Sequence, residues 1–264
     1  MRIALLDSGV GLLAAASAVR DLRPDADLVL TTDPDGMPWG PRTPGDVTER
    51  ALACAKAALE YGPDALIVAC NTASVHALDH LRAALEPGVP VVGTVPAIKP
   101  AAASGGPVAI WATPATTGSA YQRGLIDRFA EGVPVAEVAC PGLADAVDAA
   151  DHERVAAAVT DAAGRTPAGV QSLVLGCTHY ELIADVIRGT VPAALFGSAT
   201  AVAQQALRRI GAEPAPDAPA TGALTVLRSG RAEPPPATLR AYAQGRALIT
   251  PGSADSRLSA SRTP

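Results

Sequence analysis

Leu66-Ile67-Val68-Ala69-Cys70-Asn71-Thr72 is a short apolar run that ends abruptly in a thiol, an amide and a hydroxyl, and Leu173-Val174-Leu175-Gly176-Cys177-Thr178-His179 repeats the pattern. Runs of this length, rich in branched apolar residues, read as strands buried on both faces, the signature of a parallel sheet. The polar clusters then fall at the carboxyl ends of the strands, where open α/β sheets bind their ligands. Two matched strand ends, each with one cysteine, predict a site with a thiol on either side of its substrate.

The echo extends outward from the cysteines. Arg2–Ser8 finds a partner in Pro107–Thr113, and Asp27–Asp33 in Pro134–Cys140, at nearly the separation of Cys70 from Cys177, about 107 residues. Three strand ends recurring at one offset predict an α/β protein of two similar three-layer halves with mainly parallel sheets. A pseudo-two-fold internal duplication would relate them, with the active site in the cleft between. Strands are expected at 2–6, 27–32, up to Cys70, 90–93, 107–112, 134–139 and 171–176. Helices are expected at 12–22, from a Thr43 cap to Leu59, 73–86, 117–130, a short one with Asp148 just inside or after it, 151–165, 180–188 and 199–210. The expected domains are 1–95 with 206–248, and 96–205. Residues 211–222 read as a linker, 224–227 as an added edge strand and 236–247 as a last helix. Residues 249–264 read as a disordered tail.

Bulk properties narrow the function classes. The 264 residues are 48% hydrophobic and 18% charged, enough for a globular core, and a net charge of −5 leaves no basic footprint for nucleic acid. No apolar span is long enough for a membrane helix, and the N-terminus runs straight into a strand, so the cytoplasm is the default compartment. Cys54, Cys70, Cys140 and Cys177 lack Cys-x-x-Cys spacing, which argues against a metal site and a disulfide framework.

Two connections stand out. Asp7-Ser8-Gly9-Val10-Gly11 joins the first strand to a helix, and such a turn either cradles an anion with backbone N–H groups or uses glycine for a left-handed bend. The loop Asp33–Arg42, with Pro38-Trp39-Gly40 at its centre, is stiff enough to be poised over a site, with an exposed turn as the alternative.

A lone strand-end cysteine is more often a small buried hydrophobe. Two in matched polar contexts favour chemistry: Asn71, Thr72 and Thr178 supply donors suited to a carboxylate, and His179 could assist proton transfer. His76, His80 and His152 lie on expected helices and read as ordinary surface or core residues. A pair of thiols suits proton removal from one face of a carbon acid and return to the other, with no metal and no cofactor. Nucleophilic catalysis would leave the second thiol unexplained.

Over residues 3–210 these motifs together resemble the glutamate racemases of the aspartate/glutamate racemase superfamily. The resemblance rests on Asp7-Ser8-Gly9-Val10-Gly11, on Asp33 with Pro38-Trp39-Gly40, and on Ala69-Cys70-Asn71-Thr72-Ala73. Thr113 with Thr116 and Gly176-Cys177-Thr178-His179-Tyr180 complete it. It implies a cofactor-independent isomerase that interconverts L- and D-glutamate for peptidoglycan, with two domains closing over the substrate. It makes Cys70 and Cys177 the two bases, Asp7 the partner of Cys70, and His179 with Asp148 the partners of Cys177. Asn71, Thr72 and Thr178 would hold the α-carboxylate, while Ser8 and the Pro38-Trp39-Gly40 backbone would define the amino and side-chain ends. Homodimerisation is a further family expectation. Rival readings are a relative acting on aspartate or another carbon acid, and a binding homologue of weak activity. The chain departs from the usual pattern at Leu12, at Trp39 for a tyrosine, at Val95 for an acid and at Asp148 for a glutamate. Glu181 stands where a proline is usual, which would set a negative charge near an anionic substrate, and Gly197 where an aspartate is usual.

Overall fold

The strands that organise the molecule alternate apolar side chains between two buried faces. Ile3 and Leu5 point to one side of the first sheet, Ala4 and Leu6 to the other, and all four are fully buried. Only helices on both faces can satisfy such strands, and the chain supplies them in alternation. The computed structural model describes residues 1–249. The first half runs β1 (Arg2–Leu6), α1 (Leu12–Leu22), β2 (Asp27–Thr32), α2 (Pro44–Leu59), β3 (Ala65–Val68), α3 (Asn71–His76), α4 (Leu78–Leu85), β4 (Val91–Gly93) and α5 (Ile98–Ala103). The second runs β5 (Val108–Ala112), α6 (Ala120–Phe129), β6 (Val135–Ala139), α7 (Leu143–Asp148) and α8 (His152–Arg165), then β7 (Ser172–Leu175), α9 (Thr178–Glu181), α10 (Ala184–Arg188), β8 (Ala194–Phe196) and α11 (Ala199–Arg209). The chain closes with β9 (Leu224–Arg228), β10 (Arg231–Ala232), α12 (Ala237–Ala241) and α13 (Ala243–Ile249).

The two sheets share one topology. In the first the order is β10-β9-β2-β1-β3-β4, and in the second β6-β5-β7-β8. Setting aside β9 and β10, each sheet places its second strand, first strand, third strand and fourth strand side by side, all parallel. The duplication thus covers four strands per half rather than the three expected, because β8 is only three residues long and leaves no periodic trace. Cys70 and Cys177 follow the equivalent third strands. Both are extended, with φ −138°, and both stand immediately before a short helix.

Several boundaries differ from expectation for local reasons. The helix expected over 73–86 is two, broken at Ala77 (φ −111°). There the Thr48 hydroxyl of α2 donates to the His76 carbonyl (3.1 Å) and gives it a partner outside the helix. The helix expected over 180–188 is likewise split, with Ile183 outside helical geometry. The final helix divides at Tyr242, whose hydroxyl donates to the Val147 carbonyl (2.5 Å). The strand expected at the sheet edge, β9, pairs with β2 on one side, and β10 is the antiparallel edge. Residues 211–222 form no regular element, and the expected tail lies, but for its first residue, outside the described residues.

One apolar core spans both halves. It joins Leu5, Leu12, Leu13 and Val19 of the first to Trp111, Tyr180, Ile183 and Val202 of the second, and smaller cores cover the outer faces of the sheets. Helix α11 lies along α1 and also touches β3 and β4, so the chain returns to the first sheet before β9 joins it.

At the end of β7 the strands approach so closely that a Cβ on Gly176 would lie 2.7 Å from the Trp111 carbonyl oxygen. Gly176→Ala is expected to destabilise the fold by about 1–3 kcal/mol, an overpacking effect. Chemical denaturation of the two proteins side by side would measure it.

Candidate active site

A cavity of about 300 Å³ opens at the carboxyl ends of the strands, between the two halves. Every site residue expected from the sequence lines it. From the first half come Asp7, Ser8, Pro38, Trp39, Gly40, Cys70, Asn71 and Thr72. From the second come Thr113, Thr116, Asp148, Cys177, Thr178 and His179. The sequence reading missed Pro41, Pro114, Ala115, Pro141, Gly142, Ala144, Asp145, Gly176 and Cys140, which also line it. Position after a strand was the available signal for Cys140, since Cys140 ends β6 as Cys70 ends β3, but no polar cluster follows it.

The Cys70 side is built on a buried carboxylate. Asp7 ends β1, is fully buried, and accepts from the Ser8 N–H (2.6 Å), the Ser8 hydroxyl (3.2 Å) and the Thr178 hydroxyl (3.1 Å). It also interacts electrostatically with the Cys70 thiol. Burial pushes the Asp7 carboxyl up to about 6, against the opposing pull of the His179 charge. Burial and the Asp7 charge together hold the Cys70 thiol well above its ordinary value, against the opposing pull of the Ala73 backbone. At rest Cys70 is therefore an acid with an acceptor at its side.

The Cys177 side is built on an ion pair. The Cys177 sulfur lies 3.7 Å from His179 Nδ1, and His179 Nε2 lies 2.9 Å from Asp148 Oδ2. Burial alone would push the imidazole down. The Asp148 charge and hydrogen bond, with the Cys177 contact, outweigh it and hold His179 well above its usual range. Asp148 is held down: burial opposes ionisation, but the His179 charge, the His179 bond and the Val10 N–H prevail.

The Val10 N–H donates to Asp148 Oδ1 (2.8 Å) across the two halves, which explains the glycines of the first turn. Neither Gly9 nor Gly11 has positive φ, so neither serves a left-handed bend, and carboxylates of the protein itself occupy the place an anion cradle would offer. A Cβ on Gly9 would run into the Asp148 carboxylate, with Cγ at 2.6 Å. One on Gly11 would run into Asp7, Thr178 and His179, with Nδ1 at 2.6 Å. Close approach is the requirement.

Around these centres the donors are already partly engaged. The Thr178 hydroxyl is turned to Asp7, and the Asn71 amide donates to the Gly176 carbonyl, leaving Asn71 Oδ1 buried without a partner. Thr113 and Thr116 bond each other through their hydroxyls (3.2 Å). Trp39 is buried, and its indole N–H donates to Asp33 (3.0 Å), which Arg50 also holds (3.1 Å). Glu181 corrects an expectation: it does not line the cavity, and its carboxylate turns away to the start of α11. The lining offers no lysine or arginine, and no group of His, Cys, Asp and Glu among the described residues could hold a metal ion.

The profile of the Asp/Glu/hydantoin racemase family matches residues 12–206. A glutamate racemase of Pseudomonas putida is 38% identical over 80% of this chain and 82% of its own, and one of Roseiflexus is 39% identical over 77% of each. The crystal structure of Escherichia coli glutamate racemase with L-glutamate and the activator UDP-MurNAc-Ala superposes with a TM-score of 0.77. It is 30% identical, over 86% of this chain and 88% of the other. The Thermus thermophilus glutamate racemase with β-chloro-D-alanine gives 0.69 at 29% identity, over 96% and 94%. The chain belongs to the glutamate racemases of the Asp/Glu/hydantoin racemase family. Its fold class and two-half architecture are those of this family, and as an enzyme it is an isomerase. No helix among the described residues is long and apolar enough to cross a membrane.

Two measurements test this geometry. Gly11→Ala, which forces apart Asp7, Thr178 and His179, is expected to lower turnover by about a hundredfold or more with the fold retained, because small misplacements of reacting groups slow a reaction by that much. Steady-state kinetics beside circular dichroism would show it. Asp7 concerns stability. A carboxyl raised from 3.8 to about 6 binds its proton more tightly in the folded state, a difference of about 3 kcal/mol. That contribution is full below the ordinary value and lost as pH rises through about 6. Asp7→Asn is therefore expected to gain stability relative to the native protein between pH 4 and pH 7, by up to about 3 kcal/mol, read as the pH dependence of the Tm difference.

Proposed function

We propose that the protein interconverts L- and D-glutamate by moving the Cα proton between Cys70 and Cys177. The observation that supports this reading is the pair of buried thiols at equivalent strand ends, both lining one small cavity, each with its own proton partner. For one enantiomer Cys70, relieved of its proton by Asp7, takes the Cα proton, and Cys177 returns one to the opposite face. For the other the roles exchange, with the imidazolium of His179 stabilising the Cys177 thiolate and Asp148 holding the ring. Per turnover in the first direction, Cys70 gains the Cα proton and Cys177 gives one up; Asp7 then releases the proton it took and Cys177 is reprotonated, which returns the site to its starting state.

Removal of the Cα proton builds charge on the α-carboxylate. In this reading the Thr72 hydroxyl and the backbone N–H groups at the starts of α3 and α9 receive it, aided by Asn71 and Thr178 once substrate displaces their present contacts. The unpaired Asn71 Oδ1 suits the substrate ammonium. Ser8 and the Pro38-Trp39-Gly40 backbone bound the amino and side-chain ends, and Thr113 with Thr116 closes the cavity from the second half. We assign residues 1–95 with 206–248 to one closing lobe and 96–205 to the other. The product is D-glutamate for peptidoglycan, made in the cytoplasm, with homodimerisation as the family expectation for assembly.

In deuterated water without added cofactor, both L- and D-glutamate are expected to exchange Cα hydrogen for deuterium and to lose optical rotation. Cys70→Ala and Cys177→Ala should each abolish racemisation, since a two-base route cannot run on one base. Racemisation at the native rate by either variant would sink the reading, and exchange with aspartate alone would move the substrate.

A further inference from the structure

Glu181 is the last residue of α9, the short helix that opens with Thr178 and His179 immediately after Cys177. Its carboxylate reaches out of that helix to the start of another. Oε1 accepts from the Ser198 N–H (2.8 Å) and hydroxyl (3.1 Å), and Oε2 from the Ala199 N–H (3.3 Å). Ser198 stands where a helix normally caps itself, yet its side chain makes no capping bond to α11 and donates to Glu181 instead. The acid that neutralises this helix start thus comes from the element carrying half of the catalytic groups.

Gly197 is what admits it. A Cβ on Gly197 would run into the Glu181 carboxylate, with Cδ at 2.6 Å and Cγ at 3.2 Å. Beyond the clamp, α11 packs along α1, which begins next to Gly11, and touches β3, the strand that leads to Cys70. Val202, Ala203, Ala206 and Leu207 of α11 are buried, the first three in the core shared with α1. The carboxylate lies between α1, α9 and α11, outside the reaction cavity.

We infer that Glu181 is a positioning residue: by clamping α9 to the start of α11, it sets where Cys177 and His179 stand relative to the Cys70 half, and Gly197 is the vacancy the clamp requires. The inference rests on the two-thiol reading above for its effect on turnover. Its effect on the reactivity of each thiol is independent of that reading.

The test uses the full-length protein and three variants, Glu181→Ala, Gly197→Asp and the two combined. In each, the rates at which iodoacetamide alkylates Cys70 and Cys177 are followed separately by peptide mass spectrometry, alongside kcat and KM for both enantiomers. Glu181→Ala is expected to change Cys177 alkylation by about tenfold and Cys70 alkylation by less than about twofold, with a fall in kcat of about tenfold. Gly197→Asp sets a second carboxylate against the first and is expected to be as defective. In the double variant the carboxylate introduced at position 197 falls close to the place Glu181 vacates, so both thiol rates and kcat should return to within about threefold of native. Equal change at both thiols, or none at Cys177, would overturn the inference. So would a double variant no better than the worse single one, which decides the matter even if Glu181→Ala fails to fold. If the native protein does not racemise glutamate, the function falls while the alkylation pattern still tests the clamp.

Discussion

The structure depends on burying two carboxylates and one imidazolium where the halves meet. Asp7 from the first half and Asp148 from the second flank His179, and the backbone of the first turn presses between them, with the Val10 N–H on Asp148 and the Thr178 hydroxyl on Asp7. An unpaired charge in such a place is strongly destabilising: His179 and Asp148 match each other within the second half, and each carboxylate takes a further donor from the opposite half. That requirement removes side chains from Gly9 and Gly11, draws α1 against α9, and fixes both sulfurs at the rim of one cavity. Site and interface are the same set of contacts.

Chemical asymmetry follows from this arrangement although the fold is duplicated. The third strands of both sheets deliver a cysteine in the same backbone conformation, but the neighbours differ in sign. Cys70 faces a carboxyl that burial has raised to about 6, and burial with the Asp7 charge holds its thiol well above the ordinary value. Cys177 faces an imidazole held cationic by Asp148, so a thiolate there has a counter-charge. Cys70 thus stands beside a carboxyl group and Cys177 beside a cationic ring, so the two walls of the cavity differ in charge although the fold that carries them is duplicated.

Much of this was legible in the sequence because burial on both faces writes itself into continuous apolar runs. The strands ending at Leu6, Thr32, Val68, Ala112, Ala139 and Leu175 all fall within a residue or so of their expected ends, and polar residues after all of them but the one ending at Thr32 line the cavity directly. What was not legible depended on distant partners. Nothing in Ala73–Leu85 marks Ala77 as a break, because Thr48 of another helix supplies the bond that stabilises it. The glycines of the first turn read as a cradle or a bend, since Asp148 at Gly9 and Thr178 and His179 at Gly11, which help exclude their side chains, lie well over a hundred residues along the chain. Ala194–Phe196 becomes a strand only because β7 offers it a ladder.

Glu181 shows the same limit most sharply. Read from its position, four residues past Cys177, it promised a negative charge beside an anionic substrate. In the fold a helix residue four places on lies about one turn further along the same face, and a side chain there is free to lean toward a neighbouring element. The start of α11 offers two N–H groups and a hydroxyl, and the missing side chain at Gly197 leaves room for the carboxylate. Burial raises the Glu181 carboxyl, and the Ser198 and Ala199 donors oppose that rise. A carboxyl bonded in this way, outside the cavity yet on the helix that carries His179, answers a mechanical need: α9 is a single short turn and cannot hold its own orientation by backbone bonds alone. The two departures from the usual pattern, at residues 181 and 197, are then one structural solution rather than two losses, and neither could be interpreted without the other.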